Sequence, residues 1–111
     1  MAQDLTVILT DTEKRTALIG RRLCHRQFAK VDLAGTVFNE ADLEGTRFVL
    51  ADLYGADFCH ANLRGVEFSL CELHGVDFTD ACLEQTTFRC SLGLSPVLRT
   101  YIRLHGGVVL E

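Results

Sequence analysis

Two Cys-His pairs, Cys24-His25 and Cys59-His60, hold the residue types in this 111-residue chain best suited to chemistry. A thiolate beside an imidazole can bind zinc, or act as nucleophile and base in a covalent mechanism. His74 and the further cysteines Cys71, Cys82 and Cys90 add to the supply. Carboxylates recur too: Asp32, Asp52 and Glu72 are spaced 20 apart, as are Asp57 and Asp77. Adjacent carboxylates raise one another's pKa and can divide acid and base roles. Whether any of these groups meet depends on the elements that carry them.

Those elements follow from a repeat. Leu or Phe occupies 23, 28, 33, 38, 43, 48, 53, 58, 63, 68, 73, 78, 83 and 88, with Leu at each position ending in 3 and Phe at each ending in 8. A step of five scatters around a helix and alternates faces on a flat strand. It converges only if the chain turns a corner every five residues, as in a solenoid with short sides. Three sides per coil would stack Leu on Phe. Four sides stack like on like and place neighbours 20 residues apart. The predicted core stack is Leu33, Phe38, Leu43, Phe48, Leu53, Phe58, Leu63, Phe68, Leu73, Phe78, Leu83 and Phe88, preceded by Leu23 and Phe28. Positions two before each of these point inward as well. From Val31 onward they are small, as a filled interior requires. The residues between point outward and are mostly polar.

Gly35, Gly45, Gly55, Gly65 and Gly75 each follow a Leu by two. A turn starting at Leu puts Gly third, where a type II turn needs positive φ. This predicts type II turns on the Leu sides and a different turn on the Phe sides. The alternative is that these glycines make room for a bound partner.

Ala41-Asp42-Leu43-Glu44-Gly45, Ala51-Asp52-Leu53-Tyr54-Gly55 and Ala61-Asn62-Leu63-Arg64-Gly65 resemble the A(D/N)Lxx motif of the pentapeptide-repeat family. The resemblance spans about residues 21–90. It implies a right-handed quadrilateral β-helix, an all-β solenoid, here of about 3.5 coils and on the order of 17 Å long at strand spacing. Residues 1–20 are expected to cap one end, with a strand at Leu5–Leu9. Residues 11–20 read either as a short helix or as a further repeat. Arg21 and Arg26 fall at inward positions, which predicts an irregular first coil with both at its rim. Residues 91–111 are expected to cap the other end, with an α-helix over about 96–105 and a short strand at 108–110. Ser95 and Pro96 suit a helix start.

The four-sided frame separates the candidate chemistry. Cys24-His25, Cys59-His60 and His74 fall on three different sides, so no metal, cofactor or catalytic site is expected. The carboxylate columns read as a solvated acidic wall, and Glu44, Arg64 and Glu84 as a ladder of alternating charge.

Other features bear on partners. Val49, Leu50 and Leu70 form an outward apolar strip, either covered by a terminal segment or binding a protein. Val97, Leu98, Tyr101 and Ile102 give the helix an apolar face, for the last coil, for a homodimer, or for both. The net charge of −4 argues against direct nucleic-acid or acidic-membrane binding. No apolar run approaches the roughly 20 residues that span a bilayer. Five cysteines without a CxxC pair suit a reducing cytoplasm. A non-enzymatic interaction module, its protein partner unknown, is the reading these residues favour. The family resemblance adds an alternative, because some relatives are similar to duplex DNA in shape and charge and modulate DNA gyrase.

Overall fold

The computed structural model describes residues 18–110. Strands β1 (Gln27–Ala29), β2 (Arg47–Val49), β3 (Glu67–Ser69) and β4 (Thr87–Arg89) stack in parallel, followed in chain order by helix α1 (Pro96–Leu104) and strand β5 (Val108–Leu110). The sheet order is β1-β2-β3-β4-β5, and Phe28, Phe48, Phe68 and Phe88 lie in register. Three other columns of bridges have the same 20-residue spacing: Asp32–Asp52–Glu72, Asp57–Asp77 and Asp42–Asn62–Cys82. The chain is therefore a four-sided β-helix. Side A runs through residues 31–35, 51–55 and 71–75, and side B through 36–40, 56–60 and 76–80. Side C runs through 21–25, 41–45, 61–65 and 81–85, and side D through 26–30, 46–50, 66–70 and 86–90.

The interior is packed by the repeat itself. Every Leu and Phe of the five-residue step from Leu33 to Phe88 is at most 2% exposed. Rings of one column stack, with Phe38 and Phe58 4.7 Å apart and parallel. Rings of the two Phe columns meet edge to face, as Phe48 and Phe58 do at 6.0 Å and 83°. Both geometries suit the aromatic quadrupole, so the Leu/Phe alternation keeps ring on ring along the whole rod. The small inward residues add hydrogen bonds between coils. Thr46 Oγ1 donates to the Leu23 carbonyl and Thr86 Oγ1 to that of Leu63, each 23 residues back. Thr36 Oγ1 is buried and has no partner among the described residues.

The corners meet expectation on the Leu sides and depart from it on side B. On side A, Thr36 N–H closes onto Leu33 C=O and Gly35 has φ +70°. Side B closes in the same way, Ala41 N–H onto Phe38 C=O, with positive φ at Glu40, His60 and Asp80. Side D takes the different turn expected of a Phe side: φ is positive at Lys30, Leu50, Leu70 and Cys90, but among the described residues no amide closes onto the Phe28, Phe48 or Phe68 carbonyl. A left-handed residue thus stands at the corners of the Phe sides too, without glycine. The reason is geometric: each right-angle turn needs one such residue, and the stacked coil holds non-glycine residues there at some cost. The outward acid of the motif also has a structural task. Asp52 Oδ1 accepts from Tyr54 N–H at 3.0 Å, and Asp57, Asn62, Glu72 and Asp77 bond the amide two residues on in the same way. These are Asx-type turns that start corners on sides A, B and C.

The first coil is regular, contrary to expectation, since β1 pairs with β2 in full register. Its arginines cause no conflict because Arg21 is exposed and Arg26 is only half-buried. Repeat geometry extends back to Leu18, whose carbonyl accepts from Arg21 N–H around Gly20 at φ +66°. The expected strand at Leu5–Leu9 and residues 11–17 lie outside the described residues. At the other end, Ser95 caps α1 by accepting from Leu98 N–H, and Pro96 opens the helix. Ile102 is fully buried and Leu98 and Tyr101 pack on the core, so α1 covers the end of the last coil. Strand β5 then adds a fifth rung to side D, with Val109 opposite Phe88. No helix among the described residues is long and apolar enough to cross a membrane.

Candidate interaction surfaces

The structure keeps the Cys-His pairs apart, Cys24-His25 on side C, Cys59-His60 on side B and His74 on side A. It does bring together a trio that the sequence reasoning missed. One ligand atom each from Asp57, Cys59 and Asp77 lie within 4.8 Å of one another. Screening columns for Cys with Cys or His overlooked it, because carboxylates were treated separately. The Cys59 thiol pKa is pushed up to about 12 by desolvation, then by hydrogen bonding to Asp57 and Asp77. Burial likewise pushes the Cys71 thiol up to about 11. A reactive cysteine needs the opposite shift, so these two are stable thiols and not nucleophiles.

The carboxylates also run against expectation. The mutual repulsion of stacked acids predicts raised pKa values. Instead Asp77 is lowered, chiefly by the Thr79 hydroxyl and amide, and Glu72 chiefly by the His74 amide. Asp42 is lowered chiefly by its hydrogen bond with Cys24. Turn hydrogen bonds outweigh repulsion across water-exposed columns.

Charge is divided between two halves of the perimeter. Residues 31–40, 51–60 and 71–80, which make sides A and B, hold seven carboxylates and no Lys or Arg. Residues 21–30, 41–50, 61–70 and 81–90, which make sides C and D, hold four carboxylates and seven Lys or Arg. The half-perimeters therefore carry −7 and +3. Of the expected charge ladder, Arg64 pairs with Glu84 at 2.8 Å, and a second pair, Arg47–Glu67, lies on side D at 3.2 Å. Both are exposed and contribute little each.

The apolar candidates sort by exposure. Leu50 and Leu70 are 48% and 54% exposed and stack at one corner of side D, with Val49 half-buried beside them. Cys90 continues that corner, since Leu70 N–H donates to Arg89 C=O, and Leu110 lies one position before it, in register with Arg89. Leu92, 63% exposed, lines a cleft of about 310 Å³ with Cys90, Leu94 and Leu110. Leu92 was not anticipated as exposed, because the five-residue frame ends at Phe88. On α1, Val97 is exposed, whereas Leu98 and Tyr101 are half-buried. Ile102, expected in an interaction face, is instead fully buried in the core. The helix face was read correctly as apolar, but most of it is used on the coil beneath.

A model described as "Pentapeptide repeat region" matches residues 22–93. No curated protein matches the chain. Among solved structures, QnrB1, described as a plasmid-mediated fluoroquinolone resistance protein, is 21% identical with a TM-score of 0.39. That match covers 66% of this chain and 48% of QnrB1, so the chain spans about half that protein's length. A pentapeptide repeat protein from the Arabidopsis thaliana thylakoid lumen is 27% identical over 84% of this chain and 81% of its own, with a TM-score of 0.35. Rfr23, from the cyanobacterium Cyanothece 51142, is 22% identical over 65% of this chain and 60% of its own, with a TM-score of 0.24. With the repeat unbroken through sides A to D and the model matched over 22–93, the chain belongs to the pentapeptide-repeat family.

Proposed function

We propose that this chain is a non-enzymatic protein-interaction module that binds through the corner of side D. The observation that carries this reading is the exposed pair Leu50 and Leu70 stacked at that corner, with Leu92 and Leu110 exposed about the adjoining cleft, on a rod whose interior is filled by its own side chains. A ridge of large aliphatic residues repeated over successive coils is the kind of surface that soluble proteins bury in a partner. It ends at β5, whose far side pairs with no strand among the described residues. An unpaired edge beside an apolar ridge supports self-association, so the partner is a second protein or a second copy of the chain. Five free cysteines suit a reducing compartment such as the cytoplasm.

Light scattering over a concentration series, with capture from a host lysate, tests this reading. The Leu50→Glu/Leu70→Glu variant is expected to lose both self-association and the captured protein while keeping the wild-type circular dichroism. Identical behaviour of variant and wild type would remove the ridge as a binding surface. A second reading, an acidic mimic of DNA acting on an enzyme such as gyrase, is favoured by the seven carboxylates of sides A and B. A salt-titrated supercoiling assay tests it, and no effect at micromolar protein would end it.

A further inference from the structure

Side B lacks the rung that its last coil is shaped to receive. Along this side each Phe amide and each corner amide donates to the next coil. Phe38 N–H reaches Asp57 C=O at 2.7 Å and Glu40 N–H reaches Cys59 C=O at 3.1 Å. One coil on, Phe58 N–H reaches Asp77 C=O at 2.8 Å and His60 N–H reaches Thr79 C=O at 3.0 Å. In return, the Thr36 and Ala56 carbonyls accept from Asp57 and Asp77 N–H. By the same pattern Phe78 N–H, Asp80 N–H and Val76 C=O face the following coil. Among the described residues nothing is supplied there, because the chain leaves side A after Leu92 and enters α1. None of these three groups has a backbone partner among the described residues.

A groove of about 450 Å³ lies along this edge, with Gly75–Thr79 on one wall and Val97, Leu98 and Tyr101 of α1 on the other. Its floor has lost cover. Val76 is only half-buried, whereas Thr36 and Ala56 at the same position of earlier coils are fully buried. Val97, on the outer wall, is 80% exposed. The surroundings are acidic: sides A and B hold no Lys or Arg, and Asp57 and Asp77 converge with Cys59 just below the groove.

We propose that this groove accepts an extended peptide with alternating basic and aliphatic residues, added as a further β-rung along Val76–Asp80. Two independent observations select that occupant. The unpaired donors and acceptor repeat the pattern that pairs each coil with the next, which calls for a strand. The carboxylates of sides A and B, beside which those sides place no Lys or Arg, call for cationic side chains. The surface lies across the rod from the side D ridge, so its test does not depend on the reading above.

The probe is a fluorescein-labelled octapeptide alternating Arg and Val, with blocked termini. Anisotropy is measured alongside hydrogen exchange by NMR. A second peptide carries the same side chains but is N-methylated at alternate residues, which removes strand donors and keeps the charge. N-methylation removes the peptide donor that meets Val76 C=O, and at about 0.5–1.5 kcal/mol per hydrogen bond this loss weakens binding by about two- to tenfold. Slower exchange at the Phe78 and Asp80 amides is also expected on binding the unmethylated peptide. Asp77→Lys and Val97→Arg are expected to abolish this binding, while Glu44→Lys on side C leaves it unchanged. Each variant is checked for wild-type thermal unfolding, and the exchange readout on wild type needs no variant. Equal affinity for the two peptides would reduce the effect to charge attraction and overturn the proposal. So would unchanged exchange at Phe78 and Asp80, or protection of those amides by self-association without peptide.

Discussion

Phe68→Ala is the most direct test of how the rod is held together. Phe68 is fully buried and meets four other rings. It stacks on Phe48 at 5.1 Å and Phe88 at 4.9 Å, and meets Phe58 and Phe78 edge to face at 5.7 and 5.9 Å. Truncating a buried Phe costs about 3–5 kcal/mol, more where the cavity cannot collapse. Collapse is opposed here because backbone ladders fix the coils above and below. Phe68 should therefore fall at the upper end, a third or more of a domain stability of roughly 5–15 kcal/mol. Phe28 supplies the internal control, since it is equally buried but has one ring partner among the described residues, Phe48. Ring pairs add about 0.5–1.5 kcal/mol each beyond burial, and neighbouring pairs do not add fully. Phe28→Ala should thus cost about 1–2 kcal/mol less than Phe68→Ala. Urea unfolding followed by far-UV circular dichroism, with the slope checked for constancy, measures both. A cost below about 1.5 kcal/mol for Phe68→Ala, well under the range for buried Phe, would refute the stacked-column account. So would a cost for Phe28→Ala equal to or above it.

Three further outcomes are expected. Gly55→Ala meets no atom within 4 Å and is strained only by φ of +67°, so it should cost about 1–2 kcal/mol. Gly93→Ala would drive its methyl into the His74 backbone and should cost clearly more in the same urea assay; equal costs would contradict the packing at Gly93. Iodoacetamide at pH 8, read by peptide mass spectrometry, should label exposed Cys82 and Cys90 well before Cys59 and Cys71, with Asp77→Asn speeding Cys59. Equal labelling of Cys59 and Cys82 would contradict the carboxylate cage. Asp42, Glu72 and Asp77 all have lowered pKa values in the fold, so each contributes stability above its unfolded pKa, near 3.8 to 4.5, that is lost as pH falls through the folded value. Stability should hold steady above about pH 5 and decline below about pH 4, and Asp77→Asn should flatten part of that decline. A flat profile down to pH 3 would contradict these shifts.

The sequence made the interior legible because every interior position repeats. Leu at one column and Phe at the next fix both the corner interval and the number of sides, and Phe28 to Phe88 fall in register as a result. Corners were only half legible. Gly35 to Gly75 announce a left-handed residue by type, but Lys30, Leu50 and Leu70 take the same conformation with nothing in their type to announce it. There the coil imposes the backbone and the residue accommodates. The outward acids were misread as a passive wall, because Asp52 and Asp77 look like solvated charge until the amide two residues on is seen to bond them. Ile102 was misplaced for a different reason. Periodicity identifies an apolar helix face without saying which body that face meets, and here the end of the last coil meets it first.

The charge pattern has to be read around the perimeter before it bears on function. Summed along the chain, the repeats form an acidic rod, and an acidic rod invites comparison with duplex DNA. Because one coil takes 20 residues, alternate decades of sequence belong to opposite halves of the perimeter. Seven of the eleven acids then fall on sides A and B, while Arg21, Arg22, Arg26, Lys30, Arg47, Arg64 and Arg89 all fall on sides C and D. A cationic groove that wrapped the whole rod, as it would wrap a duplex, would meet that cationic half as well. A partner that approaches from one side would not, and electrostatic complementarity on one half selects both its charge and its angle of approach. The fold does not require this division. Asn62 stands in for Asp42 in the Asx turn, and Arg64 occupies the place of Glu44 without disturbing the coil. The outward positions were free to mix signs around the whole perimeter, so their segregation is a property of the surface and not of the repeat.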